Sequence, residues 1–202
     1  MRPSEMFINL TAETALYNIQ AIDNIPSIMK RGLLSHEKAR VIDHTSIAME
    51  NVQQRRNIVS IPNGMLLHKY ANLYFSSWNP MLSARRSENE NICILMFDST
   101  VLDIEGVVIS DRNASSEYAS FYSPMEGLQT IDFDMVYARS WTDDNPYEYL
   151  KKKSVKCAEV LIPYKISYDY IVCAAVVSEN AKRKLEATGF NKRIYVQRGA
   201  FF

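Results

Sequence analysis

Glycine and proline are scarce in this chain of 202 residues, with six and seven copies, and the glycines stand isolated. No G-x-G-x-x-G, G-x-x-x-x-G-K-[ST], H-E-x-x-H or G-x-S-x-G is present. A Rossmann dehydrogenase, a P-loop enzyme, a zinc protease and a nucleophile-elbow hydrolase therefore have no support. Cysteine is equally sparse. Cys93, Cys157 and Cys173 are odd in number and far apart, without a CxxC or a Cys/His zinc spacing, and they read as free thiols of a reducing cytoplasm. The three histidines, His36, His44 and His68, stand at no metal-binding spacing, so no metal is expected. The longest apolar run is the seven residues Ile171 to Val177; a membrane span needs about 20. The opening residues carry no long apolar stretch of a secretory signal. A cytoplasmic protein without a membrane partner is expected. Charge of one sign is also missing: 23 Lys and Arg balance 23 Asp and Glu, so any nucleic-acid binding must come from a local patch.

What is present is ordinary globular composition, 47% hydrophobic and 23% charged. The length suits one domain over residues 1–202, at about 100–200 residues per domain. In Tyr17 to Gly32, Asn24 is placed to cap a helix, Pro26 fits its first turn and Gly32 its stop. Thr45 to Arg56 reads as a second short helix. Strands are expected at Asn72–Ser77, Asn91–Phe97, Gly106–Ser110, Lys156–Pro163, Tyr170–Val176 and Lys192–Arg198, with a helix at Ser178–Thr188. Most strands fall in the second half, and helices do not alternate with them. A doubly wound sheet is therefore disfavoured, and an α+β fold is expected.

Four features bear on chemistry. Glu159 interrupts the apolar run Lys156-Cys157-Ala158-Glu159-Val160-Leu161-Ile162-Pro163. Strand alternation puts it on one face with Cys157 and Leu161. Either this is an edge strand with Glu159 in water, or the carboxylate lies on an apolar face, which is costly unless it is paired or used. The adjacent Arg55 and Arg56 are either a solvated helix end or a guanidinium fork for phosphate. Tyr70 to Leu82 is dense in aromatics, either core or a platform for a base or nicotinamide ring. Lys151, Lys152, Lys153 and Lys156 put four lysines in six residues, and Arg85 with Arg86 forms a second pair. Either group is a solvated face or a phosphate-binding patch.

Taken in order, several stretches resemble the DarT family of DNA ADP-ribosyltransferase toxins. They are Ile22-Asp23-Asn24-Ile25-Pro26-Ser27-Ile28, Gly32-Leu33-Leu34-Ser35, Arg55-Arg56, Tyr70, Tyr74-Phe75 and Pro80-Met81-Leu82. Ala158-Glu159-Val160-Leu161, Asp169-Tyr170-Ile171-Val172-Cys173 and Arg198-Gly199-Ala200-Phe201-Phe202 complete the set. The resemblance runs from about Tyr17 to the last residue. It implies a split, mostly antiparallel sheet around an NAD cleft with flanking helices. It implies transfer of ADP-ribose from NAD, as co-substrate, onto a base of single-stranded DNA, and a macrodomain-type antitoxin partner. Glu159 becomes the leading catalytic residue, with Arg56 beside it. Asn18, Asp23, Asn24, Arg55, Tyr70 and Tyr74 become dinucleotide contacts. Lys151, Lys152, Lys153, Lys156, Arg85 and Arg86 become nucleic-acid contacts. One position departs from the family, which usually carries a histidine two residues before the Asp-Asn pair; here it is Ala21. RNA as acceptor, guanine instead of thymine, a protein acceptor, and a nucleic-acid-binding module without turnover are the alternatives. A lone carboxylate on an apolar strand implies electrostatic strain, so removing Glu159 is expected to leave stability unchanged or slightly raised.

Overall fold

The structure, a computed structural model, describes residues 1–202, apart from the side chain of Glu50. The strands are β1 (Ala15–Ala21), β2 (Leu33–Leu34), β3 (Tyr70–Tyr74), β4 (Ile92–Asp98), β5 (Val108–Ser110), β6 (Phe121–Tyr122), β7 (Glu159–Pro163), β8 (Lys165–Ile166), β9 (Ile171–Val176) and β10 (Arg193–Val196). The helices are α1 (Pro3–Thr11), α2 (Ile25–Arg31), α3 (His36–Ala39), α4 (Glu50–Arg56), α5 (Pro80–Ala84), α6 (Pro124–Thr130), α7 (Phe133–Tyr137), α8 (Pro146–Val155) and α9 (Glu179–Ala187). Eight strands form one sheet in the order β10-β9-β4-β1-β3-β7-β5-β6, and β2 pairs with β8 beside it. Only β9 and β10 run parallel. The expected α+β class with a mostly antiparallel sheet is the one found.

β4 lies between β1 and β9, and five of its seven residues are buried. That burial on both faces is why Ile92-Cys93-Ile94-Leu95-Met96-Phe97 reads as a near-continuous apolar run. One face of the sheet carries Leu16, Leu73, Phe75, Leu95, Phe97, Val160 and Val176 into the main core. There Phe7 of α1 meets Phe75 at 5.8 Å between ring centroids, and Phe133 of α7 meets Phe75 edge-on at 5.6 Å. The opposite face carries Ile19, Ala21, Ile94, Ala175 and Phe201, with Tyr17 and Tyr74 packed against them.

Two expectations are corrected. No strand was expected before residue 72, yet β1 is the fourth strand from the β10 edge and pairs with β4 over all seven of its residues. Tyr17, Asn18 and Gln20 dilute its apolar pattern, so pairing with β4 places it, not a hydrophobic run. β7 is flanked by β3 and β5. Glu159 is therefore not on an edge strand facing water. Gly32 ends α2 as expected, at φ +83°. A Cβ there would fall 2.3 Å from the Ile166 carbonyl oxygen, so glycine permits the close approach of α2 to β8.

Candidate active site

The sheet opens where β1 meets β3. Their ladder has a single pair, Tyr17 with Tyr74, and beyond it the strands part. Each is fully laddered on its other side, so the groups facing the gap form an edge inside the sheet. The Asn18 amide spans the gap and donates to the Asn72 carbonyl at 3.0 Å. This opening is the floor of a cleft of about 910 Å³. One wall is the segment from α2 through α4, and the other is α5, α8 and the loop after β5. That size is in the range of about 300–1,000 Å³ of small-molecule sites.

Arg56 lines this floor and meets Glu159 directly beneath it. Glu159 opens β7, opposite Tyr74 on β3 and Ser110 on β5, and is fully enclosed. The Arg56 Nη1 donates to Oε1 at 3.0 Å and Oε2 at 3.1 Å. The Ala114 backbone N–H donates to Oε1 at 3.0 Å. Burial of Arg56 opposes its charge, but the Glu159 carboxylate outweighs that and holds the guanidinium pKa above its ordinary value. Neighbouring residues on a helix point about 100° apart. Arg56, last in α4, therefore turns inward while Arg55 stays exposed on the cleft wall.

Other groups around the pair are held neutral. Tyr74 is pushed well above an ordinary phenol, first by burial and then by Glu159, so it remains a donor. Cys157 is pushed up to about 12, chiefly by burial, and carries no thiolate at neutral pH. His68 is pushed down to about 4, first by burial, then by the charges of His36, Arg56 and Arg40. Its ring lies against that of His36, with centroids 4.1 Å apart and planes tilted by 36°, and its Nε2 lies 3.1 Å from Gln53 Oε1 of α4. The Asn18 Oδ1 is buried without a partner among the described residues. This orphaned acceptor in the cleft floor fits an amide N–H or a sugar hydroxyl, both of which NAD supplies.

Of the residues singled out from the sequence, Asn18, Asn24, Arg55, Arg56, Tyr70, Tyr74, Arg85, Lys151 and Lys153 line the cleft, and Glu159 lies under Arg56. Asn24 starts α2 without capping it through its side chain. Instead Nδ2 donates to the Thr45 carbonyl and Oδ1 accepts from the Thr45 N–H, both at 2.8 Å, tying the 40–49 segment to the start of α2. Four residues are not brought to the site. Asp23 is exposed in the turn before α2 and lies outside the cleft, as does the exposed Arg86. Lys152 pairs with Asp143 at 2.6 Å, away from the cleft lining. Lys156 is fully buried. Its Nζ donates to the Val136 and Ala138 carbonyls at 2.6 and 2.7 Å, closing the end of α7, and burial pushes its pKa down to about 8. The expected phosphate contact at Lys156 is thus corrected: no phosphate reaches this ammonium. Lys156→Met leaves two carbonyls unpaired, at about 1–3 kcal/mol each for a buried acceptor. The melting temperature should fall by about 4–24 °C, at ~2–4 °C per kcal/mol, with single-stranded DNA affinity unchanged. Weaker DNA binding at an unaltered melting temperature would restore the surface role.

All three histidines of the chain line the cleft. No spacing in the sequence signals this, because α3, the 40–49 segment and the turn before β3 bring them there separately. Ala21, at the family's histidine position, is buried among Ile19, Ile47, Leu82 and Phe201.

Comparison with known proteins agrees with this geometry. A family model described as ssDNA thymidine ADP-ribosyltransferase, DarT, matches residues 17–202. A DNA ADP-ribosyl transferase of Thermus sp. (strain 2.9) is 32% identical over 178 residues, 82% of this chain and 82% of the relative. A DNA ADP-ribosyl transferase-DNA ADP-ribosyl glycohydrolase fusion protein of Thermosipho africanus is 28% identical over 90% of this chain, which spans 47% of the fusion. The structure of Thermus sp. 2.9 DarT in complex with ADP-ribosylated ssDNA superposes with a TM-score of 0.80 at 27% identity, covering 94% of this chain and 96% of that one. The same protein in complex with NAD+ gives 0.76 at 26% identity, covering 94% and 98%. With the sheet, the cleft and the family match in agreement, the chain belongs to the DarT family of DNA ADP-ribosyltransferases.

Proposed function

We propose that this chain, as one domain over residues 1–202, transfers ADP-ribose from NAD to a thymine of single-stranded DNA in the cytoplasm. The observation that carries the reading is the buried Arg56–Glu159 pair at the floor of a split-sheet cleft. In the transfer, the bond from the nicotinamide nitrogen to the ribose carbon breaks and its electron pair leaves with nicotinamide. A base nitrogen forms the new bond to that carbon and loses its proton. Positive charge builds on the ribose along the way, as in glycoside chemistry. Glu159 supplies the opposing negative charge and accepts the proton from the base. Arg56 holds the carboxylate in place and is itself available to the phosphates when the pair opens. Asn18 Oδ1, Tyr70, Tyr74, Asn24 and Arg55 line the dinucleotide's path. A base paired in a duplex hides its reacting edge, which favours a single strand.

Bulky adducts on template bases would stall replication, so the chain acts as a toxin paired with a macrodomain-type antitoxin. The joined transferase and glycohydrolase of the Thermosipho relative support that pairing. Incubating the protein with labelled NAD and, separately, single-stranded DNA, RNA and a protein mixture tests the reading. Label is expected on single-stranded DNA, and expression of the wild-type chain, unlike Glu159→Gln, arrests bacterial growth. Label confined to RNA or protein overturns the acceptor. Label on none, with DNA still bound, leaves a binding module without turnover.

A further inference from the structure

α4 carries Arg56 to the cleft floor, but little else holds this helix. It is seven residues long, and Met49 at its N-cap makes no side-chain cap. Helices shorter than about 12–15 residues are marginal on their own, so contacts with the body decide where α4 lies. Among its described side chains only Arg56 is buried. Those side chains make hydrogen bonds at two points, Arg56 with Glu159 and Gln53 with His68. Gln53 precedes Arg56 by three positions, so both lie on one face of the helix. Arg56 reaches both carboxylate oxygens through Nη1 alone. A contact through one nitrogen is a pivot and lacks the fixed direction of a two-nitrogen fork. A second point is needed to set the angle at which the guanidinium meets Glu159.

His68 supplies that point. It lies in the turn Leu67–Lys69 that leads into β3, and β3 pairs with β7, where Tyr74 stands opposite Glu159. Both attachments of α4 thus rise from one pair of laddered strands. Gln53 presents Oε1, which can only accept, so Nε2 of His68 carries the proton. The imidazole is buried, and the His36 ring covers it. Held neutral, it sits beside the Arg56 and Arg40 charges without adding a third.

We infer that His68 is a positioning residue for the transfer: through Gln53 it fixes α4, and so aims Arg56 at Glu159. The inference rests on the transferase reading above and deepens it, adding to the reacting pair a support that acts through another side chain.

Labelling of single-stranded DNA at varied NAD tests this through kcat and KM for His68→Ala, His68→Gln, Gln53→Ala and the double alanine variant. His68→Ala should lower kcat by about 2- to 12-fold, the range for one lost hydrogen bond, with KM for NAD unchanged. Gln53→Ala should do the same, and the double variant should be no slower than either single, because all three lack the same bond. His68→Gln places an amide N–H near the Nε2 position and should restore the wild-type kcat. A raised KM at unaltered kcat would make His68 a contact for NAD and overturn the inference. So would a His68→Gln chain as slow as His68→Ala. If His68→Ala fails to fold, Gln53→Ala, on a half-buried side chain, carries the comparison.

A second measurement needs no turnover. Denaturant titration gives the cost of Arg56→Ala with and without His68→Ala. In the His68→Ala background the loss in the folding equilibrium constant should be about 2- to 10-fold smaller, the coupling expected within one hydrogen-bond network. Equal losses in both backgrounds overturn the inference. Failure of the transferase reading shows differently: the coupling is present, but wild type forms no ADP-ribosyl adduct when NAD and DNA are supplied.

Discussion

Glu159→Gln should abolish ADP-ribose transfer while the protein still folds. The substitution keeps the shape of the side chain and removes the charge that opposes the developing cation on the ribose. Losing a transition-state interaction of this kind, together with the general base, costs about 10²–10⁴ in rate per function removed. The carboxylate is enclosed by Arg56 and the Ala114 N–H, and this changes the expected stability of the harsher variant. Glu159→Ala strands a buried guanidinium, and breaking a buried pair by removing one partner costs about 3–5 kcal/mol. At ~2–4 °C per kcal/mol for a chain of this size, its melting temperature should fall by about 6–20 °C. The unchanged or raised stability expected from the sequence is thereby corrected. That expectation treated the carboxylate as a lone charge, whereas the structure provides its partner. Single-turnover labelling beside a melting curve checks both parts. A folded Glu159→Gln protein that labels DNA at the wild-type rate removes Glu159 from the reaction.

The second large effect separates two adjacent arginines. Arg56→Ala leaves the enclosed Glu159 carboxylate unpaired, so it should lower stability by a similar ~3–5 kcal/mol and remove transfer. Arg55→Ala, on an exposed side chain, should stay within about 0.5 kcal/mol of wild type. The double variant Arg56→Met/Glu159→Leu gives the decisive comparison. Apolar replacement of a whole buried pair is neutral or stabilising, whereas each single removal is costly. The double variant should therefore melt above either alanine single and still be inactive, a strong non-additivity expected of contacting residues. Denaturant titrations of the singles and the double measure it. Additive losses would mean that the pair does not act as a unit.

How much of this was legible in the sequence varies with the kind of signal. β4, β7, β9 and α9 announce themselves because each is a local pattern: an apolar run, or Ser178 followed by an amphipathic stretch. Ser178 does cap α9, accepting from the Ala181 N–H. β1 was hidden because Tyr17, Asn18 and Gln20 dilute its apolar pattern, Asn18 and Gln20 lining the cleft, and its position comes from pairing with a strand far along the chain. Glu159 was visible as a carboxylate in an apolar run, but its partner was not. Nothing local distinguishes Arg56 from Arg55 until α4 is laid against the sheet. The four lysines near residue 153 look equivalent in sequence. Helix geometry separates them: Lys151 and Lys153 reach the cleft, Lys152 takes Asp143, and Lys156 is folded inside. The convergence of His36, His44 and His68 was equally invisible, since three separate segments produce it.

Intact-mass spectrometry of short single-stranded oligonucleotides after incubation with NAD tests the central claim most directly. Strands with and without thymine are compared, using wild type and Glu159→Gln. The account predicts one added ADP-ribosyl group on thymine-containing strands with wild type, localised by fragmentation to the base, and none with Glu159→Gln. An adduct formed equally by both proteins, or no adduct on any strand when NAD and DNA are both bound, would contradict it.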